Sequence, residues 1–192
     1  MSSPVLSRPS EVYDAIVATI VSALGDAGLG AEVSVGGYED WGPNEAGEKQ
    51  VLIEFSEMRP AGMQNDGRKA QRQQIVLYAV ISKGIEDAAR QALNLASDLA
   101  RVADQSRWGL SHYVIDEPEN ITAQPSFLIE RNNDHRGFEA WEVTFSQLLK
   151  YGRDQWDEDP GQDVPIALAI NPVDADDDAS YQELERNAEP SS

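Results

Sequence analysis

Two segments of the chain repeat apolar residues at helical spacing. The first lies between a serine cap, Ser7 or Ser10, and Gly25, and the second runs from Ile85 to Ala103. Apolar residues that recur every three or four positions predict amphipathic helices. The predicted apolar faces comprise Tyr13, Ile16, Val17, Ile20, Val21 and Leu24 in the first helix, and Ile85, Ala89, Ala92, Ala96, Leu99 and Val102 or Ala103, with Leu93 and Leu95, in the second.

Five further segments alternate apolar and polar residues with a period of two, which predicts β-strands. Pro125 within the fourth segment restricts that strand to a sheet edge. The turn sequence Asn-Asp-Gly at 65–67 is typical of a hairpin and joins the second strand to the third. The order of elements predicts an α+β fold in which two helices cover one face of a mainly antiparallel sheet. The predicted strands are 31–35, 50–58, 72–82, 121–130 and 140–151.

The composition changes near residue 152. We expect residues 1–152 to form the α+β domain and residues 153–192 to form an extended arm, which is acidic and punctuated by prolines. One apolar stretch, 164–170, interrupts this arm and could pair or pack on a surface, either of the chain's own core or of a neighbouring molecule. The candidate docking residues are Val164, Ile166, Leu168 and Ile170.

The net charge of −19 limits the classes of partner. A surface of this charge repels polyanions, so we expect no tight binding of DNA or RNA, although DNA could slide past without sticking. The chain has no cysteine, which excludes disulfides, thiolate metal sites and cysteine nucleophiles. Because no segment reaches the ~20 apolar residues of a membrane span and the first residues lack a signal-peptide core, we expect a soluble, non-secreted protein.

Residues for catalysis or metal binding are few. The two histidines, His112 and His135, lie at unrelated positions and form no readable nucleophile–base pair. The stretch 174–185 has the oxygen spacing of a calcium loop, but Ala179 replaces the required glycine and Asn171–Pro172 takes the place of the incoming helix. We therefore expect neither enzymatic activity nor a cofactor or metal. A small calcium-binding or hydrolytic α+β domain is the alternative from a different class.

Basic residues are concentrated between the second and third strands, although the chain as a whole is acidic. We expect the segment 57–73 to be a loop, or the tip of a hairpin that projects from the sheet and meets an acidic surface of another molecule; a solvated loop is the alternative. Trp41, Trp108 and Trp156 lie near predicted loops and are either buried anchors or interface anchors. The interface candidates are Arg59, Arg68, Lys69, Arg72, Trp41 and Trp156.

Several of these segments together resemble the tail terminator proteins of contractile-tailed, Mu-like bacteriophages. The segments are SEVYDAIVATIVSAL, VLIEFSEMRPAG followed by NDGR, RQALNLASDLARVADQSRWGL and FEAWEVTFSQLLKYG. The resemblance covers about residues 10 to 155 and rests on these stretches and on the order of elements, without a catalytic motif. The acidic arm lies outside it.

The resemblance implies a structural virion protein rather than an enzyme. Proteins of this family form a ring, usually hexameric, on the end of the completed tail tube. The ring stops polymerisation of the tube and sheath proteins and presents a surface to the head–tail connector. The implied partners are further copies of the chain and the tube, sheath and neck proteins, with DNA passing through the lumen unbound and no membrane involved. The protein would be made in the host cytoplasm and located in the tail or neck of the virion. Another neck or head-completion ring protein is the alternative within virions.

Overall fold

The computed structural model divides the chain into two compact units, Met1–Asp157 and Glu158–Ser192. The predicted boundary between residues 152 and 153 stays a prediction, as does the role of the second unit as an arm. The residues that the structure describes are 4–40, 48–126, 137–155, 167–168 and 182–183.

The described residues of the first unit form two α-helices and five strands in the predicted order, together with one short 3₁₀ helix. This order confirms the α+β class. The elements are α1 (Pro9–Asp26), β1 (Val33–Gly37), a short 3₁₀ helix (Tyr38–Asp40), β2 (Lys49–Met63), β3 (Lys69–Ser82), α2 (Ala88–Ala103), β4 (Glu119–Ser126) and β5 (Phe138–Tyr151).

The five strands form one mixed sheet with the order β1-β2-β3-β5-β4. Only β1 and β2 run parallel, and the other three pairings are antiparallel, so the sheet is mainly antiparallel as predicted. β4 lies at one edge, which confirms the position that Pro125 indicated. Prolines are confined to such edges because they cannot donate to a strand ladder.

Both helices pack on the same face of the sheet. Helix α1 buries every fourth residue from Val12 to Leu24, and α2 contributes small alanines together with Leu95 and Leu99. These side chains join one apolar cluster with odd-numbered strand residues such as Leu77 and Phe145. The opposite face carries a smaller cluster around Leu52, Val80 and Ala140, against which Tyr38 of the short 3₁₀ helix packs, while neither α1 nor α2 belongs to it.

The predicted helix faces are partly wrong at their margins. Val21 and Leu93 remain 49% and 45% exposed, and Ala89 is also exposed. A residue next to the central stripe points about 100° away from it around the helix, so an apolar margin residue can face solvent. The second helix begins at Ala88 rather than Ile85, after a turn in which Asp87 has a φ of 58°.

Glu11, rather than a serine, provides the hydrogen-bond acceptor for the backbone N–H groups that precede α1. Its carboxylate accepts hydrogen bonds from the backbone N–H groups of Ser7 (3.3 Å) and Arg8 (3.1 Å). Pro9 occupies the first helical position, where its missing N–H has no intrahelical partner to lose. The expectation of a cap by Ser7 or Ser10 is therefore wrong.

The second unit contains a short antiparallel pair, β6 (Ala167–Leu168) with β7 (Gln182–Glu183). Of the four predicted docking residues, Leu168 lies in β6, opposite Gln182. Val164, Ile166 and Ile170 lie outside the described residues. Across the described parts of the whole chain, no helix has the length and hydropathy needed to cross a membrane.

Candidate functional site: the end of the β2–β3 hairpin

The basic segment 57–73 is mostly strand rather than loop. The β2–β3 ladder continues as far as the pair Met63 and Lys69, so only residues 64–68 turn. Gln64 donates its backbone N–H to the carbonyl of Arg68 (2.8 Å), and Gly67 has a φ of +80°, which glycine adopts readily. The predicted turn at 65–67 is confirmed. The expectation of a long loop is wrong because the alternating pattern weakens at Pro60 and Gly62 while the backbone pairing continues.

Arg68 is buried and binds groups of its own chain. Only 1% of the residue is exposed. One guanidinium nitrogen donates to Asp66 Oδ2 (2.8 Å) and to the Tyr113 carbonyl (3.1 Å), and the other donates to the Pro4 carbonyl (3.4 Å). The expectation that its charge meets another molecule is corrected, because these contacts enclose the guanidinium and tie the turn to the body of the unit.

The segment that follows β5 makes a second contact with the turn. Gln155 donates its backbone N–H to the Asp66 carbonyl (2.8 Å) and its side-chain amide to the Asn65 carbonyl (3.2 Å). A Cβ on Gly67 would lie only 2.8 Å from the Gln155 Oε1. The turn is therefore fixed to the rest of the first unit and does not project freely from it.

Arg59 and Arg72 lie directly opposite each other on β2 and β3. Like charges in this position repel, and each guanidinium is turned to a carboxylate. The Arg59 Nε lies 2.6 Å from a Glu57 oxygen, and an Arg72 terminal nitrogen lies 2.6 Å from a Glu119 oxygen. These pairs remain in solvent, with 71% of the Arg59 side chain and 40% of the Arg72 side chain exposed. With Lys69, which is also exposed, they form the exposed basic group of the hairpin.

The outer side of β2 is open along most of its length. β1 pairs with β2 only from Lys49 to Ile53, and beyond that point no described strand pairs with the outer edge. Every residue from 56 to 63 is exposed, including Met58 (50%) and Met63 (69%). Exposed methionines adapt to irregular partner surfaces because their side chains are flexible and polarizable.

Of the three tryptophans considered from sequence, only Trp108 lies within the described residues, and it is a buried anchor. It is 3% exposed, stacks on Phe145 with ring centres 5.8 Å apart, and donates its indole N–H to Gln147 Oε1 (2.8 Å). Trp41 and Trp156 lie outside the described residues, so their interface role stays a prediction.

Gln147 is a buried glutamine that the sequence did not predict as an organising residue. Gln147 is 0% exposed, and its amide nitrogen donates to the carbonyls of Ser106 (3.1 Å) and Asp116 (2.7 Å). It therefore fixes the segment between α2 and β4 on the end of the sheet. The signal was a polar residue in the middle of an apolar alternation, between Phe145 and Leu149.

The face of the sheet opposite α1 and α2 carries hydrogen-bonded acidic groups. The Tyr78 hydroxyl donates to Glu54 Oε2 (2.7 Å), and burial together with this carboxylate raises the pKa of Tyr78 above its ordinary value. Glu142 accepts a hydrogen bond from the Ser126 hydroxyl (3.0 Å). Within the described residues no group of three or more potential metal ligands comes together.

The geometry described above suits protein–protein contact: an exposed strand edge, three exposed cations and a braced turn. His112 is exposed beside Tyr113, and His135 lies outside the described residues, so the described residues bring no histidine pair together.

No family model and no curated protein sequence matches the chain.

Proposed function

We propose that this protein is a tail terminator of a contractile-tailed bacteriophage. Its copies form a ring, hexameric by resemblance, on the end of the tail tube, where the ring stops tube and sheath polymerisation and receives the head connector. The observation that carries the proposal is the arrangement of the sheet: both helices cover one face, while long stretches of its outer strands are exposed. Such edges are available for contact between identical copies. This arrangement supports the resemblance of the sequence to that family.

The charge of the chain supports a ring through which DNA passes. At −19 per chain, a ring of several copies is strongly anionic. Phosphates are repelled by such a surface, so a passing duplex is not retained. In this function the chain needs no cofactor, catalytic residue or membrane.

The exposed basic group of the hairpin is the contact point with acidic surfaces, either of the adjacent subunit or of the tube below. Arg59, Lys69 and Arg72 are the members of this group, whereas Arg68 braces the turn behind them. Exposed ion pairs contribute only ~0–1 kcal/mol each. Their role is therefore to select the partner and to fix its register more than to supply affinity.

The acidic arm, residues 153–192, lies along a neighbouring subunit or the sheath in this proposal. Its apolar residues Val164, Ile166, Leu168 and Ile170 provide the docking side chains, with Trp156 as a further anchor. A chain truncated before residue 160 should fold and should lose ring stability or sheath attachment. Unchanged oligomerisation and unchanged attachment would remove the arm from the proposal and leave the ring itself intact.

The location of the chain in virions tests the function. In particles that contain this protein, antibody labelling followed by electron microscopy should place it at the upper end of the tail, below the capsid. Labelling of the connector itself would instead favour a head-completion ring. Absence of label from particles, with a monomeric purified protein, would contradict both structural functions.

A further inference from the structure

The backbone hydrogen bonds of β5 show which of its residues bond toward β4 and which bond toward β3. Asp116 donates its N–H to the carbonyl of Leu148 (3.0 Å), and Lys150 donates its N–H to the carbonyl of Val114 (2.8 Å). Leu148 and Lys150 therefore direct their backbone groups toward the β4 side. Because these groups alternate along a strand, even-numbered residues of β5 bond toward β4 and odd-numbered residues bond toward β3.

The register carries this alternation to the β4 edge. Ala123 lies opposite Val143 and Pro125 lies opposite Trp141. Both partners are odd-numbered and bond in the other direction, toward β3. The backbone N–H and C=O of Ala123 and the C=O of Pro125 therefore point outward from the edge of the sheet, in the direction away from β5.

The same reasoning applies to the β2 edge. Met58 lies opposite Gln73 and Pro60 lies opposite Gln71. These β3 residues are opposite odd-numbered residues of β5 and bond toward β5. Met58 therefore directs its N–H and C=O outward, and Pro60 directs its C=O outward, where no described strand pairs with them.

Each edge thus carries the same short pattern, a residue with a donor and an acceptor, followed two positions later by a proline. The prolines are tolerated because the position of their missing N–H faces outward, where the chain's own ladder needs no donor. Both stretches are exposed, and no described strand pairs with them on the outer side.

We propose that a second copy of this chain occupies the β2 edge, with β4 of one subunit paired antiparallel to β2 of the next and Ala123 opposite Met58. This inference rests on the proposed ring and names its subunit contact. In that register Ala123 and Met58 each donate one backbone hydrogen bond to the other and accept one. Pro60 and Pro125 lie two positions further along, where a regular ladder would need an N–H that proline lacks, so they confine the backbone pairing to this short stretch.

Strand direction favours this head-to-tail arrangement. Three successive antiparallel pairings separate β2 from β4, so the two strands run in opposite directions within one sheet. A rotation about an axis roughly parallel to the strands preserves their directions, and β4 of the next copy then meets β2 antiparallel. A contact that uses two different surfaces of each copy closes into a ring when the rotation permits.

The edges also match in length and in charge. Register shifts flank the regular stretch of β2 from Glu57 to Pro60, while β4 is regular from Thr122 to its end at Ser126. Such irregularities interrupt a ladder, so only a short partner strand fits. In the proposed register Glu57 lies opposite Gln124 and Arg59 lies opposite Thr122, so no like charges face each other.

Engineered cysteines test the register directly, because the chain has no cysteine of its own. The Cα atoms of a hydrogen-bonded antiparallel pair lie ~5.5 Å apart, within the range that a disulfide spans. Oxidation of the double variant Met58→Cys/Ala123→Cys should give a ladder of covalent oligomers on a non-reducing gel, and a reductant should collapse it. The matched control, Val21→Cys/Ala123→Cys, places one thiol on an exposed part of α1 and should give no ladder.

The outcomes separate the contact from the ring. If light scattering shows a ring but the double variant does not cross-link, the contact is wrong and the proposed function stands. If the wild-type protein is monomeric, the proposed function fails and the contact fails with it. Cross-linked dimers from Met58→Cys alone would indicate a symmetric β2–β2 contact and would overturn the head-to-tail register.

A proline variant gives a second test of the contact. Ala123→Pro removes one outward donor, as Pro125 already does, and should lower the ring fraction without unfolding the protein. An undiminished ring fraction would contradict the contact.

Discussion

Gln73 and Gln147 lie directly opposite each other on β3 and β5 and are both 0% exposed, but only one of them has partners for both ends of its amide. Gln147 accepts a hydrogen bond from Trp108 and donates to two carbonyls. Gln73 donates to the Tyr151 hydroxyl (3.3 Å), while its Oε1 is buried without a partner among the described residues. The two side chains are alike in type and burial, but only the amide of Gln147 has hydrogen-bond partners for both its oxygen and its nitrogen.

This difference predicts unequal costs for the same substitution. Gln147→Leu removes the partner of the buried indole N–H of Trp108 and of two partly buried carbonyls, and should lower the free energy of unfolding by about 3 kcal/mol or more. Gln73→Leu removes an unsatisfied oxygen and should cost less than about 1 kcal/mol, or stabilise the fold. Urea denaturation of both variants measures the difference. Equal losses would contradict the hydrogen-bond assignment.

Arg68 should matter for folding and Arg59 should not. Arg68→Ala removes a buried guanidinium with three partners, and the free energy of unfolding should fall by about 2–4 kcal/mol. Arg59→Ala removes an exposed ion pair and should change it by less than about 1 kcal/mol. Thermal and urea denaturation of the two variants test this, and a similar stability for both would show that Arg68 does not brace the turn.

Tyr151 predicts a loss of stability in alkaline solution. Burial, assisted by the Glu11 carboxylate, raises the pKa of Tyr151 to about 12, whereas the unfolded tyrosine ionises near pH ~10. Above pH ~10 the unfolded state therefore loses its proton first, and the free energy of unfolding falls until the pH passes the folded pKa. Tyr151→Phe should flatten this fall, and Tyr113→Phe, at a 52% exposed position, should retain it. An unchanged pH profile in Tyr151→Phe would contradict the assignment.

Charge reversal tests the exposed basic group of the hairpin. The triple variant Arg59→Glu/Lys69→Glu/Arg72→Glu should fold as a monomer and should lose ring formation or attachment to the tail, because the exposed cations that meet acidic surfaces are gone. The quantities to measure are oligomer mass and binding to tails.

The control for that experiment carries the same charge change elsewhere. Lys83, Arg90 and Arg101 have side chains that are 56–77% exposed and lie away from the hairpin end. Their reversal to glutamate should leave assembly unchanged. If both triple variants assemble normally, the hairpin cations have no role in the contact.

The sequence was sufficient to predict the elements and their order, because apolar spacing follows from the geometry of helices and strands. It also placed β4 at an edge through Pro125 and the turn of the hairpin through Gly67. It did not separate the centre of a helix face from its margin, as at Val21, because both positions carry apolar residues and only packing distinguishes them.

The destinations of polar side chains could not be predicted, because they depend on groups far away in the chain. Arg68 is buried by carbonyls of Pro4 and Tyr113, which no local pattern brings to it. Trp108 is placed in the core by a backbone φ of 55°, which is rare for a bulky residue. The candidate interface accordingly changed from a basic loop to a strand edge with exposed cations beside it.

The mass of the purified protein in solution tests the central claim most directly. Size-exclusion chromatography with light scattering should give a single species several times the 21.1 kDa of one chain, and electron microscopy of that species should show a ring with an open centre. A strictly monomeric protein at all concentrations, with no ring in the images, would contradict the account.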